Sequence, residues 1–279
     1  MNIIKDISII GSRDKDILLD VYYKSSTTPK PIIIFSHGFK GFKDWGHFDL
    51  LARAFAEQNF VFVKFNFSFN GTTIENPLDF IDLEAFGNNN YSTELNDLGK
   101  VIDWVLSTEI LKNEIDAKQL NLLGHSRGGG ITILKAAEDK RIKKIVTWAS
   151  VCDFINRMKE HDLKDWKEKG VIYSINTRTN QKMPLYYQFY EDLQANTERI
   201  DVSKAAKKFT IPFLIIHGTK DEAVSYEEAN LLHKNCSHSK LELIEGAGHT
   251  FGAKHPFKGN SLPLHAETAL QKTIEFLKT

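Results

Sequence analysis

Cysteine is scarce here: only Cys152 and Cys236 occur, far apart and in no Cys-x-x-Cys pair. That excludes a disulfide framework. Long apolar runs are missing too. No stretch approaches the roughly 20 apolar residues that cross a bilayer. The opening MNIIKDISII is broken by Lys5 and Asp6, and no small-residue cleavage site follows it. With two thiols and no export signal, the expectation is a cytoplasmic protein without a membrane partner. An excess of one charge is the third absence. Lysine plus arginine and aspartate plus glutamate number 36 each. Neither counterion release from nucleic acid nor attraction to an anionic surface would then be large, so no nucleic-acid partner is expected.

The 279 residues, 42% of them apolar, suit one large α/β domain with an insertion. Two Ile/Leu/Val/Tyr segments near 3–10 and 17–23, parted by Gly11-Ser12-Arg13-Asp14, read as an antiparallel hairpin. Then come short apolar runs at 32–35, 60–65, 120–123, 145–148 and 213–216. Strands buried on both faces of a parallel sheet have this composition. Helical spacing fills the intervals at 48–58, 93–106, 129–137 and 226–233, which predicts right-handed crossovers and a mostly parallel, doubly wound sheet. A last helix, 264–277, is expected at the sheet's edge. Between 153 and 209 the alternation stops. There a charged helix over 159–169 and a hairpin over 171–186 are predicted, so 153–209 reads as an insertion above the sheet. The core is then 1–152 with 210–279. Ligands of open α/β sheets bind beyond the strands' C-terminal ends, where this insertion lies.

Gly124-His125-Ser126-Arg127-Gly128 follows the run 120–123 and precedes a helix. It is G-x-S-x-G in the strand–turn–helix context that this motif requires. Its glycines let strand and helix approach while Ser126 occupies a strained turn at a helix N-terminus. A serine needs a base, and the base an orienting acid, in the chain order serine, acid, histidine. Asp221 lies just past the strand 213–216, with Glu222 as an adjacent rival and helix capping as its structural alternative. His249 lies just past the strand 241–244; His255 and His265 are its downstream rivals. The catalytic candidates are therefore Ser126, Asp221 and His249, all at one edge of the sheet. Two backbone N–H groups are expected to form an oxyanion hole, from Arg127 after the nucleophile and from Phe39 in the loop 36–41. His37 is read as a brace for that loop.

These residues resemble the α/β-hydrolase superfamily across nearly the whole chain outside the insertion. His37-Gly38-Phe39, GHSRGG at 124–129, HGTKDE at 217–222 and GAGH at 246–249 look like its cinnamoyl/feruloyl esterase-like and dienelactone-hydrolase-like branch. The resemblance implies Ser126, Asp221 and His249 as a triad and the Phe39 and Arg127 amides as oxyanion donors. It also implies a small lid between the sixth and seventh main strands, matching 153–209 and holding an aromatic acyl or alcohol group. Arg127 stands where many feruloyl esterases carry glutamine, which implies a different pocket polarity. Tyr173, Tyr186, Tyr187 and Tyr190 read either as pocket walls or as the lid's own core.

The expected activity is cleavage of carboxylic esters through an acyl-enzyme, aromatic or short-chain, with no cofactor and no metal. The expected partner is a small-molecule ester, with a homodimer left open. A peptidase, amidase or acyltransferase would use the same triad. A binding protein on this scaffold would normally lack a triad member. A metal hydrolase built on His233, His238 and His249 would have spacings that match no common zinc pattern.

Overall fold

The structure is a computed structural model describing residues 1–159 and 161–279. Strands β1 (Asn2–Ile10) and β2 (Asp16–Tyr23) form the expected antiparallel hairpin. There follow β3 (Lys30–Ser36), helix α1 (Phe48–Glu57), β4 (Val61–Phe65), α2 (Leu83–Gly87), α3 (Tyr91–Ser107), β5 (Ile115–His125), α4 (Arg127–Glu138) and β6 (Ile142–Trp148). Beyond residue 209 come β9 (Phe213–Gly218), α10 (Tyr226–Asn235), β10 (Ser239–Ile244) and α11 (Leu264–Lys278). The eight strands of the main sheet run in the order β1-β2-β4-β3-β5-β6-β9-β10. From β4 to β10 across the sheet every pairing is parallel, and β2 joins β4 antiparallel.

Each central strand is apolar throughout because its successive side chains enter two different cores. Ile32 and Ile34 of β3 join a core with Leu95, Leu98 and Ile102 of α3, whereas Ile33 and Phe35 meet Leu51 and Phe55 of α1. Helix α11 belongs to the second core. Its Leu270, Ile274 and Leu277 lie against Val146, Trp148, Leu214 and Ile216, each burial contributing about 1.5–3 kcal/mol. Thr273 Oγ1 also accepts from Trp148 Nε1 at 3.0 Å. Thus α11 covers one face of the sheet over β6, β9 and the edge strand β10, where its Lys272 Nζ donates to Glu242 Oε2 at 2.6 Å, so the edge expected from sequence is part of the surface it packs on.

Between β6 and β9 lie α5 (Phe154–Lys159), α6 (Leu163–Lys169), β7 (Val171–Asn176), β8 (Gln181–Tyr186), α7 (Gln188–Ala195), α8 (Thr197–Ile200) and α9 (Val202–Lys207). The charged helix predicted over 159–169 starts at Leu163, because Asp162 caps it by accepting from the amides of Lys164 and Asp165; Glu160 lies outside the described residues. Gly170, at φ 73°, ends it in the left-handed conformation. Strands β7 and β8 pair only with each other. Fully buried Trp166 ties α6 to this hairpin by donating from Nε1 to the Leu185 carbonyl at 2.9 Å.

Candidate active site

The turn between β5 and α4 holds Ser126 at φ 57° and ψ −122°, a conformation costly for a residue with a Cβ. The backbone fixes it there. Ser126 N donates to the Trp148 carbonyl on β6 at 2.9 Å, and its own carbonyl accepts from Gly129 N at 3.0 Å. The neighbouring glycines have a steric reason. A Cβ on Gly128 would stand 2.3 Å from the Ser36 carbonyl oxygen, and one on Gly124 would stand 2.3 Å from the Gly128 oxygen. Helix α4 begins at Arg127, two residues earlier than its apolar spacing suggested.

The loops after β9 and β10 bring the other two candidates to this turn. Ser126 Oγ lies 3.0 Å from His249 Nε2, and His249 Nδ1 lies 2.8 Å from Asp221 Oδ2. With the proton on Nδ1, the imidazole donates to the carboxylate and accepts from the hydroxyl. Asp221 has no exposed side-chain surface. Its Oδ1 accepts from the amides of Ala223 and Val224, both at 2.9 Å. Burial alone would raise its pKa, but hydrogen bonds from His217 and His249 hold it well below the usual carboxylate range. The rival residues stand elsewhere: Glu222 is exposed, His265 sits in α11, and His255 accepts from Gly46 N through Nδ1 at 3.0 Å. His233 hydrogen-bonds Ser239 Oγ at 2.8 Å. Among the described residues no cluster of three His, Cys, Asp or Glu side chains is arranged to hold a metal ion.

His217 is the residue that sequence reasoning missed. It is fully buried, and its Nε2–H is shared between the Val224 carbonyl at 2.9 Å and Asp221 Oδ2 at 3.1 Å. Its position in the strand-end segment HGTKD, four residues before Asp221, was the available signal. His125 donates from Nε2 to the His249 carbonyl at 2.9 Å, holding the backbone of that residue. Burial first, and the neighbouring His249 second, push the His125 pKa down to about 3. His37 braces the loop after β3 as expected. Its Nδ1 donates to the Gly38 carbonyl at 2.9 Å, and its Nε2 accepts from Phe67 N at 3.4 Å.

That loop passes close to the serine. A Cβ on Gly38 would lie 2.9 Å from the Ser126 Cβ. Among the described residues, neither Phe39 N nor Arg127 N donates to another acceptor. The side chain of Arg127 does not itself line the pocket. It lies only 9% exposed, with the guanidinium carbon 4.0 Å from the Phe39 ring centroid and Nη1 3.4 Å from Glu94 Oε1.

A cavity of about 670 Å³ opens in front of Ser126 and His249. Its aromatic walls are Phe39, Trp45, Phe48 and His255, and the β7–β8 turn adds Asn176, Thr177 and Arg178. None of the four tyrosines considered from sequence lines it. Tyr187 and Tyr190 pack on Trp166, Tyr186 donates to Glu84 Oε2 at 2.6 Å, and Tyr173 is exposed.

The sheet order, the strained serine turn and the loops that meet at it define an α/β-hydrolase. Residues 19–236 match the BD-FAE family model, and the chain belongs to that family. It is an enzyme, an ester hydrolase. Among curated proteins it is similar to the monoglyceride lipase of Mus musculus, 23% identical over 282 residues spanning 92% of this chain and 88% of the relative. Among solved structures it resembles Est1E from Butyrivibrio proteoclasticus with ferulic acid bound, at 19% identity and a TM-score of 0.74, over 98% of this chain and 100% of the other. A putative dienelactone hydrolase from Klebsiella pneumoniae aligns over all of both chains at 16% identity and a TM-score of 0.63. Likenesses at these identities speak for the fold.

Proposed function

We propose that the chain hydrolyses carboxylic esters through an acyl-enzyme on Ser126. His249 takes the hydroxyl proton as Ser126 Oγ attacks the ester carbonyl, and Asp221 holds the resulting imidazolium. The Phe39 and Arg127 amides donate to the oxyanion of the tetrahedral intermediate. As that intermediate collapses, His249 returns the proton to the departing alcohol. Water then attacks the acyl-serine with His249 again as base, releasing the acid and the free serine. The observation that carries this reading is the continuous contact from Ser126 Oγ through His249 to Asp221, at 3.0 and 2.8 Å. Within 153–209 the β7–β8 hairpin acts as the lid over the serine, since its turn residues Asn176, Thr177 and Arg178 wall the cavity.

The aromatic walls suit an aromatic or short-chain ester, and the ferulic acid bound to the similar Est1E supports the aromatic choice. Cys152 and Cys236 are both buried and unpaired, which supports a reducing, cytoplasmic setting. Among the described residues no helix is long and apolar enough to cross a membrane. Hydrolysis of p-nitrophenyl acetate and methyl ferulate tests the reading. Both are expected to turn over, with the rate falling by several orders of magnitude in Ser126→Ala while the circular dichroism spectrum stays unchanged. Equal turnover in that variant would rule the reading out.

A further inference from the structure

The wall of the cavity is one-sided in charge. Lys40, Arg178 and Lys254 line it, and among the described residues no aspartate or glutamate does. The chain as a whole carries equal numbers of basic and acidic residues, so composition does not account for this. Nor do the three cations have strong partners. Lys40 Nζ donates to the Ile175 carbonyl at 2.8 Å and to Ser174 Oγ at 3.2 Å, both neutral groups of the hairpin. An ammonium has three donors, so one is left. Burial and the nearby Arg127 both disfavour the charged form of Lys40, a cost that an anion beside it would relieve. Arg178 meets Asp79 Oδ1 at 3.3 Å and the Leu78 carbonyl at 3.4 Å, and Asp79 is 64% exposed, so that pair is weak. Lys254 is exposed and forms no ion pair among the described residues.

A second, independent feature lies on the same wall. Asn176, at the hairpin turn, is only 7% exposed, and its Nδ2 has no hydrogen-bond partner among the described residues. Its Oδ1 is used, accepting from Arg178 N at 3.2 Å. A buried amide donor left without an acceptor is unfavourable unless something in the site supplies one. Carboxylate oxygens are acceptors only, and a guanidinium fork matches them geometrically.

We propose that this cavity selects esters carrying a carboxylate, which Lys40, Arg178, Lys254 and the Asn176 amide hold while Ser126 faces the scissile bond. This rests on the reading of Ser126 as the nucleophile of ester hydrolysis, and it names the substrate class of that site. The carboxylate is a recognition group and takes no part in bond making.

The test compares 4-nitrophenyl hydrogen adipate with 4-nitrophenyl hexanoate, which share chain length and leaving group and differ in the terminal carboxylate. Calorimetric titration of the Ser126→Ala chain measures binding without turnover. The anionic ester is expected to bind about tenfold more tightly at low ionic strength, with the preference shrinking at high salt because screening weakens exposed cations. In Ser126→Ala carrying Arg178→Gln and Lys254→Gln, the preference should fall toward unity. Equal or weaker binding of the adipate ester at low salt would overturn the proposal, as would a preference indifferent to both salt and the substitutions. The salt series uses Ser126→Ala without the charge substitutions, so it decides the matter even if the charge variant folds poorly. Turnover of the two esters by the unsubstituted chain tests hydrolysis separately. If neither is cleaved while the binding preference stands, the hydrolytic reading fails and the anion selection survives.

Discussion

Arg127 sends its backbone amide and its guanidinium to different parts of the site. The amide is one proposed oxyanion donor, and the guanidinium stacks on the ring of Phe39, whose amide is the other. The side chain therefore ties the two donors together while pairing with Glu94, which is 3% exposed. Burial pushes the Glu94 carboxyl up despite Arg127, and its Oε2 has no partner among the described residues. Arg127→Met alone is expected to cost about 3–5 kcal/mol in urea denaturation, because it strands a buried carboxylate. The double variant Arg127→Met with Glu94→Gln should recover most of that stability. Its kcat should still fall about tenfold with KM little changed, since the stack on Phe39 is gone and a loosened oxyanion donor costs transition-state binding. Recovered stability with wild-type kcat would show that the stack does not position the loop. Sequence pointed to the Arg127 amide through the elbow motif. It could not show where the guanidinium goes, because Glu94 and Phe39 belong to distant segments that only the fold brings together.

At the scale of elements, the elbow depends on β5 and α4 lying unusually close to β3. Gly128→Ala would drive a methyl group against the Ser36 and His37 carbonyl oxygens, 2.3 and 2.4 Å from the new Cβ. A loss of about 2–4 kcal/mol in urea denaturation is expected, together with lost activity as Ser126 shifts. Stability within about 0.5 kcal/mol of the parent would mean that α4 can move off the sheet freely. The main strands and long helices were legible in sequence because each carries enough residues to show period 2, a continuous apolar run or period 3.6. Between β6 and β9, α6 and the hairpin were legible, whereas α8 and α9, at 4 and 6 residues, are too short for a helical period to emerge. The same holds for α2, with 5 residues, between β4 and α3. Sequence gives only part of the placement of α11, the edge strand β10 and not its neighbours β6 and β9, because an amphipathic helix shows that it has a buried face but not which strands cover it.

For the whole molecule, burial of ionisable groups sets how stability responds to pH. Lys43, in the loop that leads from β3 to α1, and Lys64 of β4, both at most 1% exposed, share Asp20, with their Nζ atoms 2.9 and 3.2 Å from it. Lys64 lies within an otherwise apolar strand, so nothing local to the sequence revealed this cluster. Burial also pushes His37 and His47 down to about 4 from an ordinary 6.5. As pH falls from 6.5 the unfolded chain takes up protons that the folded chain refuses, so these groups' contribution is complete above that value and is lost toward pH 4. The Tm should therefore decline across this interval. His47→Leu should flatten the decline, because both ring nitrogens of His47 lack partners among the described residues and there is no hydrogen bond to lose. An unchanged slope in that variant would assign the acid sensitivity to other groups.

The three proposed catalytic residues were legible because each directly follows a strand or occupies a motif. The cavity was not, since its wall draws on the loop after β3, the start of α1, the hairpin turn and residues 249–256. Labelling the native chain with a fluorophosphonate and mapping the modified peptide by mass spectrometry tests the central claim most directly. One adduct, on Ser126, with none formed in His249→Ala over the same time, is the expected result. Modification at another serine, or none at all in the native chain, would contradict the assignment of Ser126 as the activated nucleophile.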